Sequence, residues 1–154
     1  MRFARLLFFF VLLAAPLAMR AQREKLPMAD LEFVEKTWPE AKKTNTGIRY
    51  LVLREGQGEP GKPGNRAAVL YIGRLLNGTE FDRNLDREHP FTFRVARGMV
   101  IEGWEQIMQL MKPGEKRLVI IPAELAYGSR GSPPKIPRDA TLVFEIEVLE
   151  FKRD

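Results

Sequence analysis

Cysteine is absent from the 154 residues, histidine occurs once, at His89, and serine occurs only at Ser129 and Ser132. Without thiols there is no cysteine nucleophile, no disulfide and no thiolate metal site. One histidine excludes a multi-histidine zinc site. Neither serine sits in a nucleophile-elbow sequence, so a Ser–His pair has no frame around it. Internal repeats and low-complexity tracts are also missing. The chemistry is therefore expected to need no covalent nucleophile, metal, redox centre or other cofactor.

What remains is a soluble composition, 45% hydrophobic and 29% charged, with enough apolar material for one core. The formal charge is +5, unevenly spread. Arg2 and Arg5 precede an uncharged apolar run, Leu6 to Leu17, and small residues follow at Ala18 and Ala21. This is the pattern of a secretory signal peptide over residues 1–21. The run is short of the ~20 residues that span a bilayer. Neither cut, after Ala18 or after Ala21, has small residues at both critical positions, so an uncleaved anchor is the alternative. Cleavage after Ala21 removes Arg2, Arg5 and Arg20 and leaves +5 − 3 = +2. A chain so near neutral gives no reason to expect nucleic-acid binding. A cleaved leader leaves no stable membrane span. The expected location is outside the cytosol: a bacterial periplasm or secretion, with a eukaryotic secretory lumen as the alternative.

Residues 22–46 read as a polar extension. Leu31, Val34 and Trp38 recur at helical spacing, Asp30 is a candidate cap, and Pro39 ends the helix. From residue 47 to 154 the pattern is one domain. Strands are expected at Ile48–Leu53, Ala67–Leu76, Phe91–Val95, Lys116–Ile121 and Thr141–Phe151. In the last, Leu142, Phe144, Ile146, Val148 and Glu150 share one face. Asn77-Gly78 marks a tight turn, and Pro113-Gly114 another. Ile101, Trp104, Ile107, Met108 and Met111 make one helical stripe, with Glu102 and Glu105 near the positive end of its dipole. Five strands and a central helix predict an α+β fold, an antiparallel sheet wrapped over a helix.

Most motifs have ordinary readings. Gly56-Gln-Gly58-Glu-Pro-Gly61 matches a dinucleotide fingerprint, but Pro60, Pro63 and Gly64 forbid the helix that must follow, so it is a surface loop. Asn77-Gly78-Thr79 is a glycosylation sequon and also a turn. His89 lies in a charged loop with no catalytic partner. The aromatics Tyr71, Phe81, Phe91, Phe93, Trp104, Tyr127 and Phe144 could be plain core. Tyr and Trp carry polar tips that want a partner, however, and Tyr127 sits in a loop, so an aromatic-lined concave site is the second reading.

Ordered blocks then carry a resemblance. Val69-Leu-Tyr71-Ile-Gly73, Gly78-Thr-Glu-Phe81-Asp82, Pro90-Phe91-Thr-Phe93 and Val100-Ile101-Glu-Gly103-Trp104-Glu105 follow one another. Met111-Lys-Pro113-Gly114-Glu-Lys, Ile121-Pro122, Ala126-Tyr127-Gly128 and Ala140-Thr141-Leu142-Val143-Phe144 complete the series. From about Ile48 to the C-terminus the chain resembles the FKBP-type peptidyl-prolyl isomerase family. The resemblance implies a twisted antiparallel half-barrel of five to six strands around one central helix. It implies an apolar pocket with Trp104 as floor and Tyr71, Phe81, Val100, Ile101 and Phe144 as walls. Tyr127 hydroxyl and the Ile101 backbone N–H would bind substrate carbonyls. Asp82 would line the mouth, held by Tyr71 and Arg87, and Phe91 and Ile136 would edge the site. Asp82, Tyr127 and Trp104 would act on the substrate, a proline-containing polypeptide, and a macrolide is a further implied ligand. Asp82 is open between an electrostatic and a structural role. Two positions depart from the family pattern: Lys135 stands where an apolar residue is common, and Leu125 where an aromatic one is. The rival function is a chaperone or adaptor on the same fold with incidental isomerase activity.

Overall fold

The computed structural model describes residues 23–153, so the expected leader lies outside the described residues. None of the described helices is long and apolar enough to cross a membrane. Helix α1 is Met28–Thr37; strands β1 and β2 are Lys42–Lys43 and Arg49–Arg54. Strands β3, β4 and β5 are Arg66–Leu75, Glu80–Asn84 and Phe91–Arg94; helix α2 is Glu102–Met108. Strand β6 is Lys116–Ile121, a 3₁₀ turn occupies Ala123–Leu125, and β7 is Leu142–Lys152. All pairings are antiparallel, in the order β1-β2-β6-β7-β3-β4, with β5 also on β3. Ten-residue β3 thus shares one edge between β5, along Arg66–Val69, and β4, along Tyr71–Arg74. The sheet has seven strands, against five to six expected. The additions are two-residue β1 and the polar β4, Glu-Phe-Asp-Arg-Asn, where only Phe81 is buried. A strand with one apolar residue carries too little alternation to be legible.

The concave face of the sheet and α2 enclose the main core. Val69, Val119, Ile121, Leu142, Phe144, Ile146 and Val148 meet Trp104, Ile107, Met108 and Met111 there. Gly103 allows the close approach: a Cβ at this position would lie 2.6 Å from Ile121 Cγ2. The helix is shorter than its apolar stripe. Ile101 is its N-cap, and Met111 follows it, tied back by an N–H bond of 3.1 Å to the Ile107 carbonyl.

Alternate residues of β6 and β7 face the other way, and α1 covers them: Ile120 and Val143 pack with Leu26 and Val34. Asp30 does not cap α1. The helix follows Pro27 directly, and Asp30 instead accepts a 2.6 Å hydrogen bond from Thr141 Oγ1. The face expected of β7 also changes near its end. Ala68 pairs with Glu150 but Val69 with Val148, a bulge that leaves Leu149 without an opposite residue. Beyond it Phe151, not Glu150, joins the core, and Glu150 pairs with Lys152. Gly56–Gly61 is a loop between β2 and β3, and Asn77–Gly78 forms the β3–β4 turn, with the Thr79 N–H on Asn77 Oδ1 at 3.0 Å.

Candidate active site

Trp104, in the first turn of α2, is 4% exposed and forms the floor of a cavity of about 210 Å³. Tyr71 from β3 and Phe144 from β7 stand edge-on to the indole, at 5.1 Å and 5.3 Å between ring centroids. Phe81 from β4 meets Phe144 at 89°. Phe91, Val100 and Ile101 complete the apolar lining. Gly73 makes room for this cluster: a Cβ there would come within 2.7 Å of Phe81 and 2.8 Å of Phe144. T-shaped packing of this kind holds the rings in fixed orientations. The Trp104 indole N–H is buried with no hydrogen-bond partner among the described residues.

Polar groups sit at the mouth. Tyr71 hydroxyl donates to Asp82 Oδ2 at 2.7 Å, and the Arg83 N–H donates to Asp82 Oδ1 at 2.9 Å. Burial, reinforced by the Asp82 carboxylate, pushes the Tyr71 phenol up well beyond its ordinary range. Tyr127 is raised as well, by burial and then by the charge of Asp82. Both therefore stay protonated at neutral pH. Tyr127 and Ile101 line the cavity, and neither the Tyr127 hydroxyl nor the Ile101 backbone N–H is hydrogen-bonded to another described residue.

The structure thus brings Tyr71, Phe81, Asp82, Phe91, Val100, Ile101, Trp104, Tyr127 and Phe144 around one cavity. Ile136 is 4% exposed and lines an adjoining one. Arg87 is the exception. Its guanidinium donates to Glu147 Oε1 at 2.6 Å, which Arg54 also engages, and it lines neither cavity. Glu147 holds it because its side chain is only 15% exposed, so its attraction for the two guanidinium groups is less screened by solvent.

Two side chains that shape the cavity escaped the sequence reading. Met99 lines the cavity at 60% exposure. Its position next to Val100 and Ile101 was the available signal. Glu105 is 5% exposed and accepts hydrogen bonds from the Ala96 and Met99 N–H groups, bracing the loop that forms one wall. Its place in the first turn of α2 predicted a dipole role, and only the folded loop supplies these donors.

Comparison with known proteins decides the family. Residues 57–149 match the model of FKBP-type peptidyl-prolyl cis-trans isomerase. The chain belongs to this family. It is 54% identical to human peptidyl-prolyl cis-trans isomerase FKBP2 over 92 residues, 60% of this chain and 65% of that one. It is 44% identical to human peptidyl-prolyl cis-trans isomerase FKBP4 over 133 residues, 86% of this chain but 28% of that one. The chain therefore spans less than two-thirds of either relative. Among solved structures, FkpA from Escherichia coli superposes with a TM-score of 0.72 at 40% identity, over 80% of this chain and 58% of that one. A peptidyl-prolyl cis-trans isomerase from Pseudomonas syringae pv. tomato gives 0.72 at 35%, over 81% and 92%. The antiparallel FKBP fold around one main helix is common to them.

Proposed function

We propose that the chain is a peptidyl-prolyl cis-trans isomerase that accelerates rotation about Xaa-Pro bonds in unfolded or partly folded polypeptides. The observation that carries this is the ring-walled well over Trp104, with two unengaged donors, Tyr127 hydroxyl and Ile101 N–H, at its side. The proline ring seats on the indole, and the two donors take the flanking carbonyls.

The reaction breaks no bond to carbon and moves no proton. Its barrier is ~18–20 kcal/mol, set by amide resonance. The planar amide is more polar than the twisted one, so water favours the ground state. An apolar well removes that advantage, and each ~1.4 kcal/mol so gained is a factor of about ten in rate. The donors hold the chain in the rotated geometry. Asp82 serves by position: its carboxylate accepts the Tyr71 hydroxyl hydrogen bond and so fixes that ring in the wall.

The leader pattern of residues 1–21 supports export to a periplasm or to the outside, and the clients are then exported proteins. The same well is the seat for a macrolide competitor. The test is proline isomerisation in a short peptide, with and without excess rapamycin-type macrolide. Acceleration abolished by the macrolide is expected. Peptide binding with no acceleration would replace the enzyme with an adaptor. Protein recovered from its native compartment should start near Met19 or Gln22 by mass spectrometry, and an intact Met1 there would favour the anchor.

A further inference from the structure

A second cavity, of about 400 Å³, opens beside the aromatic well and shares Phe81, Asp82 and Tyr127 with it. Its outer wall is the segment Ser132-Pro133-Pro134-Lys135-Ile136. This segment is closed at its base. Ser132 N–H donates to the Ile136 carbonyl at 2.8 Å, and Ile136 N–H to the Ser132 carbonyl at 2.9 Å. Ile136 anchors it in the main core. The tip residues, Lys135 among them, are therefore held against the cavity by a bridged base with Ile136 buried at one end.

The two charges of the cavity differ in how far they are already engaged. Among the described residues Asp82 is the only anion of the lining, and each of its oxygens takes one hydrogen bond. Lys135 is the only cation among the described lining residues, and it has no ion pair or hydrogen bond with any described residue. Arg130 and Arg138, in the same loop, are likewise without partners among the described residues. An incoming carboxylate thus finds a free ammonium in a cationic loop. An incoming ammonium meets a carboxylate whose charge is already partly offset by the Tyr71 hydroxyl and the Arg83 N–H.

We infer that Lys135, on the wall of the second cavity, makes the isomerase prefer an acidic side chain next to the substrate proline. The inference rests on the isomerase reading, because a proline seated over Trp104 is what places its neighbour across Phe81, Asp82 and Tyr127. The pair is solvent-exposed, so the preference is modest, about twofold to fivefold in rate between Glu and Lys.

The experiment measures isomerisation of two peptide sets, with Glu, Ala or Lys immediately before or immediately after the proline. The enzymes are wild type, Lys135→Met, Lys135→Glu and the remote Lys62→Glu, with folding of each checked by thermal melt. In at least one set the wild type should favour Glu over Lys. The ratio should approach one at 1 M salt, where the Debye length falls to ~3 Å. Lys135→Met should flatten it and Lys135→Glu invert it, while Lys62→Glu should leave it at the wild-type value. If the Ala peptides are accelerated but the Glu-to-Lys ratio is the same in wild type and Lys135→Glu, the inference about Lys135 is overturned and the isomerase reading stands. If Lys62→Glu shifts the ratio as much as Lys135→Glu, overall charge sets it and the inference is equally overturned. No acceleration of any peptide by folded wild type would remove the isomerase reading and this inference with it.

Discussion

Tyr127 and Trp104 separate two kinds of contribution at the residue scale. Tyr127→Phe deletes one hydroxyl with no partner among the described residues, so the fold should be kept. The lost substrate bond is worth ~0.5–1.5 kcal/mol, and activity should fall about threefold to tenfold in a peptide assay. An unchanged rate would mean that the hydroxyl does not touch the substrate. Trp104→Ala is different, because the indole is both floor and core. Truncating a buried aromatic of this size costs about 3–5 kcal/mol, so the melting temperature should drop along with the rate. Reading activity beside the melt distinguishes a lost floor from a lost fold. Residue types were legible here and pairings were not. The wall aromatics stood out in the sequence, but a local pattern could not show that Arg87 turns to Glu147 rather than Asp82, since its partner lies 60 residues away.

Elements set how closely these residues approach. Gly73 on β3 lies under both Phe81 and Phe144, and an added methyl would sit inside contact distance of both rings. Gly73→Ala should therefore push the walls apart and destabilise the protein by about 1–3 kcal/mol, as overpacking does. Peptide affinity should fall more than for a remote substitution of equal stability cost. An unaltered pocket affinity would show that the rings can give way. The strand positions of β2, β3, β5, β6 and β7 were visible as apolar runs. The bulge at Leu149 was not, because a one-residue register shift is decided by pairing with β3 and leaves no mark on alternation until the partner is known.

The whole molecule also depends on the N-terminal extension. Glu24 accepts hydrogen bonds from Arg49 and Lys43, and these hold its carboxyl far below the usual carboxylate range. A depressed folded value means the stabilisation is present above the unfolded carboxyl pKa of ~4.3 and is lost as pH falls toward the folded value. Glu145 and Glu147, each clamped by two cations, are shifted in the same direction. Melting temperature should therefore decline on going from about pH 6 to about pH 3, and Glu24→Gln should shrink that decline. A variant with the wild-type slope would show that the clamp on Glu24 adds nothing to stability. The isomerisation rate should be level through neutral pH, since both pocket phenols are shifted upward and His89 is not among the residues that line the cavity.

The sequence by itself determined the α+β class, the strands with strong apolar content, the central helical stripe and the family. Each of these is written in local periodicity or in the order of short motifs, and neither needs a third dimension to be read. Only the tertiary structure decided that α1 seals the second face of the sheet and that Asp30 binds Thr141 instead of capping. It also decided that Glu105 braces a pocket wall and that Lys135 borders a cavity sharing walls with the aromatic well. Those outcomes are choices among competing polar partners distant in sequence. Such a partner is fixed by which donors the fold leaves within reach and unengaged, and the one-dimensional pattern carries no record of that distance.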